Sequence, residues 1–191
     1  LLGFLVMLGR IVLHRIRQAV NEQAQLENYK KLAYADSLTG LFNYTAFKYM
    51  KSRWPERTDW TYIVIDVNWL KQTNDQYGHR AGDELLCCAA RCIREAFYRA
   101  EDCFRIGGDE FALIVSADMD EEQRGRMAER IQTMLSAPIV IEGKLLSVGV
   151  SCGCACYPED GDASQVRITA DSRMYAEKQH HHEDDRTEEQ S

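Results

Sequence analysis

The chain has 191 residues, 45% hydrophobic and 28% charged, a mixture that fits one domain of ordinary size plus an appendage. A formal net charge of −7 argues against duplex nucleic acid as the main partner, because such binding needs cationic surface to displace counterions; a single nucleotide stays open, since a few lysines and metal ions can neutralise it. The seven cysteines are an odd set spread over separate runs, which predicts a reduced, cytosolic domain rather than a disulfide framework.

Residues 1–13 are apolar apart from Gly3, Gly9 and Arg10, and the chain starts with Leu, which reads as a fragment of a longer protein. A bilayer span takes roughly 20 residues, so this run predicts the end of a transmembrane helix, with Arg10, His14, Arg15 and Arg17 as the basic flank on the cytoplasmic side. An amphipathic or core helix is the other reading. Residues 14–35 predict a helical linker, rich in Gln, Glu, Ala, Leu and Lys. Val12, Ile16, Ala19, Gln23, Leu26, Lys30 and Ala33 fall at alternating spacings of four and three, a weak heptad that fits a short coiled coil or a single solvated helix.

Residues 36–179 predict the main domain. Asp36 or Ser37 can cap a helix, and Thr39-Gly40 supplies a turn. A helix from Tyr44 to Arg53 stops before Pro55. Trp60–Ile65 is a β-branched and aromatic strand ending at Asp66. Gly82–Arg99 reads as a helix. Cys103–Ile106 and Phe111–Ser116 read as strands of a hairpin around Gly107-Gly108-Asp109-Glu110. Asp120–Leu135 reads as an amphipathic helix, Ile139–Ile141 and Leu145–Tyr157 as strands, and Ala163–Lys178 as a last helix. In that final long strand Cys152, Cys154 and Cys156 share one face at period two; as a metal site they lack the paired Cys-x2-Cys knuckles of zinc patterns. The order predicts an α+β, ferredoxin-like β-α-β-β-α-β sheet with extra elements, preceded by an N-terminal helix. The His- and acid-rich residues 180–191 read as a disordered tail.

Phosphoryl transfer from a nucleoside triphosphate to a ribose hydroxyl needs metal ions, carboxylates to hold them, and cations to meet the charge on the leaving group. Asp66 at the end of the first strand and Asp109-Glu110 in the hairpin turn can converge in such a sheet. Each alone fits cap or turn chemistry; together, beside Gly107-Gly108, they fit a two-metal site.

Arg105-Ile106-Gly107-Gly108-Asp109-Glu110-Phe111 resembles the signature of GGDEF-domain diguanylate cyclases. Four further motifs extend the resemblance from Asp36 to Lys178: Asp36-Ser37-Leu38-Thr39-Gly40-Leu41-Phe42-Asn43, Asp66-Val67-Asn68-Trp69-Leu70-Lys71-Gln72-Thr73-Asn74-Asp75, Gly78-His79-Arg80-Ala81-Gly82-Asp83-Glu84-Leu85-Leu86, and Ala170-Asp171 with Met174-Tyr175 and Lys178. Ser147–Gly153 resembles the strand before the last helix.

The resemblance implies a palm-type nucleotidyl cyclase fold that condenses two GTP into cyclic di-GMP across a homodimer, with two Mg²⁺ (or Mn²⁺) ions per active site. It implies that Asp66, the Val67 carbonyl and Asp109 hold the metals, with Glu110 supporting them, and that Asp109 helps deprotonate the attacking hydroxyl. Gly107 and Gly108 would let backbone lie against the nucleotide. Lys71 and Lys178 would meet phosphates, and Trp69 and Leu70 would offer backbone N–H groups to them. Asn74 and Asp83 would read guanine, whose N1–H and N2–H2 donors a carboxylate accepts together. It further implies a catalytic domain in the bacterial cytoplasm, on an inner-membrane anchor, with an upstream sensor, and no nucleic acid polymer as partner. A weakly active or inactive GTP-binding regulatory module is the alternative.

The chain departs from the family pattern in three places. Tyr44 stands where Arg is usual. The Arg expected beyond Lys178 is replaced, roughly at His182, which predicts weaker triphosphate binding. The family's R-x-x-D product site falls in register on Tyr98 and Glu101, and the shifted Arg99-Ala100-Glu101-Asp102 turns its side chains to other faces, so strong product inhibition is not expected.

Overall fold

The computed structural model describes residues 2–51, 59–96, 103–115, 122–123, 126, 129–130, 133, 139–141, 143–146 and 149–188. The chain divides into two compact units, Leu1–Ala35 and Asp36–Ser191. The first is one helix, α1 (Leu2–Tyr34), with Ile11, Val12, Leu13, Ile16 and Val20 exposed. Among the described residues no helix is long and apolar enough to cross a membrane, and residues 2–13 of the expected membrane span form the start of α1.

The second unit is built on a four-stranded antiparallel sheet of β1 (Trp60–Val67), β2 (Cys103–Arg105), β3 (Glu110–Val115) and β6 (Val150–Tyr157), in the order β2-β3-β1-β6. Strands β4 (Ile139–Ile141) and β5 (Lys144–Leu146) pair separately. All eight residues of β1 are buried, as a central strand covered on both faces requires. Period two sends Ile63, Ile65 and Val67 to one face, where they meet Leu85, Leu86, Ala89 and Ile93 of α4 (His79–Ala96). Cys152 and Cys154 of β6 join that core, so the cysteine run does share a buried face. Each fully buried Ile or Leu contributes about 1.5–3 kcal/mol.

The other face is covered by α5 (Ala163–Glu188), where Gly153 decides the fit. A Cβ there would lie 2.0 Å from the Ala170 carbonyl oxygen and 2.5 Å from the Met174 nitrogen, so only glycine lets α5 rest on β6. The same helix and the turn before it cover the open edge of β6. Glu177 accepts from the Cys152 N–H, Arg173 donates to the Cys154 carbonyl at 2.6 Å, and Asp160 accepts from the Cys156 N–H at 2.8 Å. Unpaired edge groups that would otherwise template pairing with another chain are thereby capped.

The expected strand Leu145–Tyr157 is instead two strands, β5 and β6, in separate sheets, and three further boundaries differ from expectation. Helix α5 continues to Glu188, so residues 180–188 are helical rather than a disordered tail. Nothing in Gln179–Glu188 breaks a helix, and His181 sits 3.9 Å from Glu177 one turn back. Leu70–Tyr77 forms a separate helix, α3, which hydrophobic periodicity could not reveal because none of its residues is buried. Gly78, at φ 85°, separates it from α4, which begins at His79 instead of Gly82. Helix α2 (Tyr44–Lys51) is capped by Asn43, whose Oδ1 accepts from the Ala46 N–H at 3.0 Å; Asp36 instead closes the turn before it. The expected helix Asp120–Leu135 and the Arg99–Asp102 segment lie largely or wholly outside the described residues.

Candidate active site

The end of β1 and the β2–β3 turn are joined by backbone. Asp66 pairs with Glu110 across the ladder, and the Val67 N–H donates to the Asp109 carbonyl at 3.0 Å. The Ile106 and Gly107 N–H groups both donate to the Glu110 carbonyl, at 2.9 and 3.2 Å, which closes the turn. Directly paired residues share a face, so Asp66 and Glu110 project together. Gly107 makes room for that: a Cβ there would come within 2.8 Å of the Glu110 Oε2. Gly108 faces open space.

Arg105 fastens this turn to the start of the domain. Its Nε and Nη2 donate to the Gly108 carbonyl at 3.3 and 2.8 Å, and its Nη1 to Asp36 Oδ1 at 3.2 Å. Asp36 also accepts from the Thr39 N–H at 2.8 Å and hydroxyl at 2.7 Å. Burial alone would raise the Asp36 pKa; the Thr39 hydrogen bonds and the Arg105 guanidinium outweigh it and hold the carboxyl below its usual range. No sequence signal pairs positions 36 and 105, and Arg105 was not among the expected site residues.

The carboxylates crowd one another. Burial pushes Glu110 above its usual range, and Asp66, Asp109 and Asp171 push the same way, against the Lys178 ammonium. Asp171, raised by burial and eased by Arg167, joins this cluster from α5 without having been singled out for the chemistry. Lys178 Nζ reaches Asp66 Oδ1 at 2.7 Å, their side chains 30% and 5% exposed. The expected phosphate lysine therefore sits at the carboxylates themselves. Among the described residues no three His, Cys, Asp or Glu side chains form a metal cage alone. The donors present are hard oxygens: the Asp66, Asp109 and Glu110 carboxylates and the Val67 carbonyl. That set fits Mg²⁺, which takes one or two carboxylates and completes its shell with water and substrate phosphates.

The turn from Asn68 to Lys71 is held from β6. The Asn68 N–H donates to the Gly149 carbonyl at 2.9 Å, and its side-chain amide exchanges hydrogen bonds with the Ser151 hydroxyl at 3.0 and 3.1 Å. Trp69 takes the left-handed conformation, φ 56° and ψ 18°, which is strained for a bulky residue. Its ring lies where a Cβ on Gly149 would be, at 1.9 Å. The Trp69 carbonyl accepts from the Thr73 N–H at 2.9 Å, starting α3, which leaves the Leu70 amide and the exposed Lys71 in the first turn. Farther along, Asn74 Oδ1 occupies the place of a Gly82 side chain, 2.0 Å from the position of its Cβ. Asn74 thus lies against α4 beside the exposed Asp83. Neither Gly82 nor Gly149 was legible as a site residue, because each serves by what it lacks.

Residues 33–184 match the profile of the family described as "Diguanylate cyclase, GGDEF domain". The chain is 33% identical over 153 residues to diguanylate cyclase TpbB of Pseudomonas aeruginosa, covering 76% of this chain and 35% of that one. It is 33% identical over 164 residues to cyclic di-GMP phosphodiesterase PdeR of Escherichia coli, covering 83% of this chain and 24% of that one. It spans half the length or less of its relatives in Caulobacter vibrioides and Bacillus subtilis as well. Among solved structures, the GGDEF domain of Pseudomonas aeruginosa TpbB superposes with a TM-score of 0.70 at 31% identity, covering 77% of this chain and 90% of that one. With the profile spanning most of its length and the carboxylate turn in place, this chain belongs to the diguanylate cyclase GGDEF-domain family.

Proposed function

We propose that the domain is a diguanylate cyclase, condensing two GTP into cyclic di-GMP with release of two pyrophosphates. The observation that carries this reading is the gathering of Asp66, Asp109 and Glu110 at the end of β1, with Lys178 in contact with Asp66. In each half-site Asp109 accepts the proton of a GTP 3′-hydroxyl. That oxygen bonds to the α-phosphorus of the other GTP as the bond to pyrophosphate breaks. Asp66, the Val67 carbonyl, Asp109 and Glu110 are the groups that would hold two Mg²⁺ ions, which when bound neutralise phosphate charge and make the hydroxyl more acidic. Lys71 and Lys178 meet the triphosphate as point charges, with the Trp69 and Leu70 amides beside them. Asp83 and Asn74 take the guanine edge; adenine lacks the donor pair and would leave the Asp83 carboxylate unmatched, at about 1–3 kcal/mol.

Incubating the chain with GTP and Mg²⁺ and reading products by mass spectrometry tests this. Cyclic di-GMP is expected from the wild type and none from Asp109→Ala. A folded chain that binds GTP and yields no product would leave the second reading, a GTP-binding regulatory module. Similarity to a protein named as a phosphodiesterase favours that reading, as does His182 in place of the usual Arg.

A further inference from the structure

We propose that Cys88 and Cys92, one turn apart on α4, form a two-thiolate site for a soft, two-coordinate cation of the Cu⁺ class. The pair lies on the helix that carries Asp83, but it owes nothing to the cyclase reading and stands or falls without it.

Residues four apart on a helix lie on one face, with Cβ atoms about 5–6 Å apart. Cys88 and Cys92 have that spacing on α4, both are half-buried free thiols, and their side chains share a hydrogen bond. A small ion can reach such a pair from solvent, while Cys92 is steadied by packing against the core. A disulfide fits less well, because it needs Cβ atoms about 3.5–4.5 Å apart, which a regular helix does not offer at this spacing. A bridging ion adds length. Metal–thiolate bonds of about 2.3 Å let two sulfurs stand up to about 4.6 Å apart, so the helix need not bend.

Coordination number narrows the choice of ion. Zn²⁺ in a closed site takes four ligands. Among the described residues no three His, Cys, Asp or Glu side chains come together as a metal cluster. Cys87 is turned from Cys88 by about 100° around the helix, and its thiol donates to the Leu38 carbonyl at 3.3 Å. Glu84, one turn before Cys88, lies 3.7 Å from Arg80. Two thiolates alone suit a soft cation, which thiolate sulfur selects. Burial and the facing Cys88 thiol push Cys92 up to about 11, so Cys92 keeps its proton at neutral pH and resists oxidants that attack thiolates. A bound cation displaces that proton. One Cu⁺ and two thiols give a singly negative dithiolate unit and two released protons, with no change of oxidation state. Arg91, whose charge already favours the thiolate form of Cys92, meets the negative unit.

Titration of the reduced full chain with Cu⁺ in the absence of oxygen, against a coloured Cu⁺ chelator, tests the site. The wild type and Cys87→Ser are expected to take the ion with equal affinity. Cys88→Ser, Cys92→Ser and the double variant are each expected to lose affinity by more than about 100-fold, the upper end of what changes beyond the ligands themselves cost. A double variant that holds Cu⁺ as the wild type does overturns the proposal, and so does a Cys87→Ser variant as weak as Cys88→Ser. Zn²⁺ held as tightly as Cu⁺ would mean a four-ligand site and overturns it too. Where serine at either position lowers the melting temperature, the wild type decides alone by alkylation and peptide mapping. With Cu⁺ bound, labelling of Cys88 and Cys92 is expected to slow by about tenfold or more, since a thiolate on the ion is no longer a free nucleophile, and labelling of Cys87 to stay as it was. Equal labelling of Cys88 and Cys92 with and without the ion overturns the proposal. GTP turnover is no part of either readout, so an inactive chain tests the site as well as an active one.

Discussion

At Asp66 a buried carboxylate meets a single lysine at 2.7 Å, and that contact holds charges in balance at a site otherwise crowded with acids. Lys178→Met removes the ammonium, and the expected cost is about 1–3 kcal/mol, reduced because Lys178 is partly exposed. For a chain of this size that is a fall of several degrees in Tm, at about 2–4 °C per kcal/mol. Added Mg²⁺ should recover part of it, since a cation at the same carboxylates restores the balance. Equal loss with Mg²⁺ and with EDTA in thermal melts would count against a metal site here. Gly82 is the second residue where one atom decides an outcome. A methyl group at Gly82 would displace Asn74, and Gly82→Ala should raise KM for GTP about tenfold, one lost hydrogen bond's worth, with the melting curve little changed. Steady-state kinetics on GTP check this, and an unchanged KM would separate Asn74 from base recognition.

Elements, rather than single residues, carry the turn between β1 and α3. Trp69 holds a left-handed backbone that costs a bulky residue roughly 1–2 kcal/mol, and its ring is seated in the space above Gly149. The strain lies between Asp66 and Lys71, the residues proposed to hold metal and phosphate, where preorganisation would be useful. Gly149→Ala should cost about 1–3 kcal/mol by overpacking against the ring, and lower turnover as well. Trp69→Gly frees the backbone and empties the space, so the double variant should recover more than half of the Gly149→Ala loss. Additive losses in denaturant titrations would show that the ring and the glycine do not act together. β-Branched and aromatic composition was enough to identify β1, the glycine turn to identify the hairpin with β3, and the period-two cysteines fit one face of β6. The same logic missed α3: a helix with no buried residue carries no apolar stripe.

Across the whole domain, Arg105 links Asp36 at its start to the turn that carries Asp109 and Glu110, so acid should act on the fold and the site together. The Asp36 carboxyl is held below its ordinary 3.8, so its contribution is fully present above that value and is lost as pH falls through the lower folded-state pKa. Asp36→Asn should therefore be less stable than the wild type at pH 7, with the difference shrinking below pH 3.8. A difference that persists undiminished into stronger acid would assign the effect to Asn packing rather than charge. Glu110 and Asp171, both raised, act with the opposite sign: their contribution is present in acid and lost as pH rises through their folded-state values. By itself the sequence determined the α+β class and the run of strands and helices along the domain, and it singled out the carboxylates, lysines, Asn74 and Asp83 as candidates, because these depend on residue type and spacing along the chain. Tertiary structure alone decided that Lys178 meets Asp66, that Arg105 ties Asp36 to Gly108, that Asp171 joins the acids, and that α5 runs on to Glu188. Partners 69 and 112 positions apart, as Asp36 with Arg105 and Asp66 with Lys178 are, leave no local periodicity to read; only the packing of α5 and the hairpin on β1 brings them within reach.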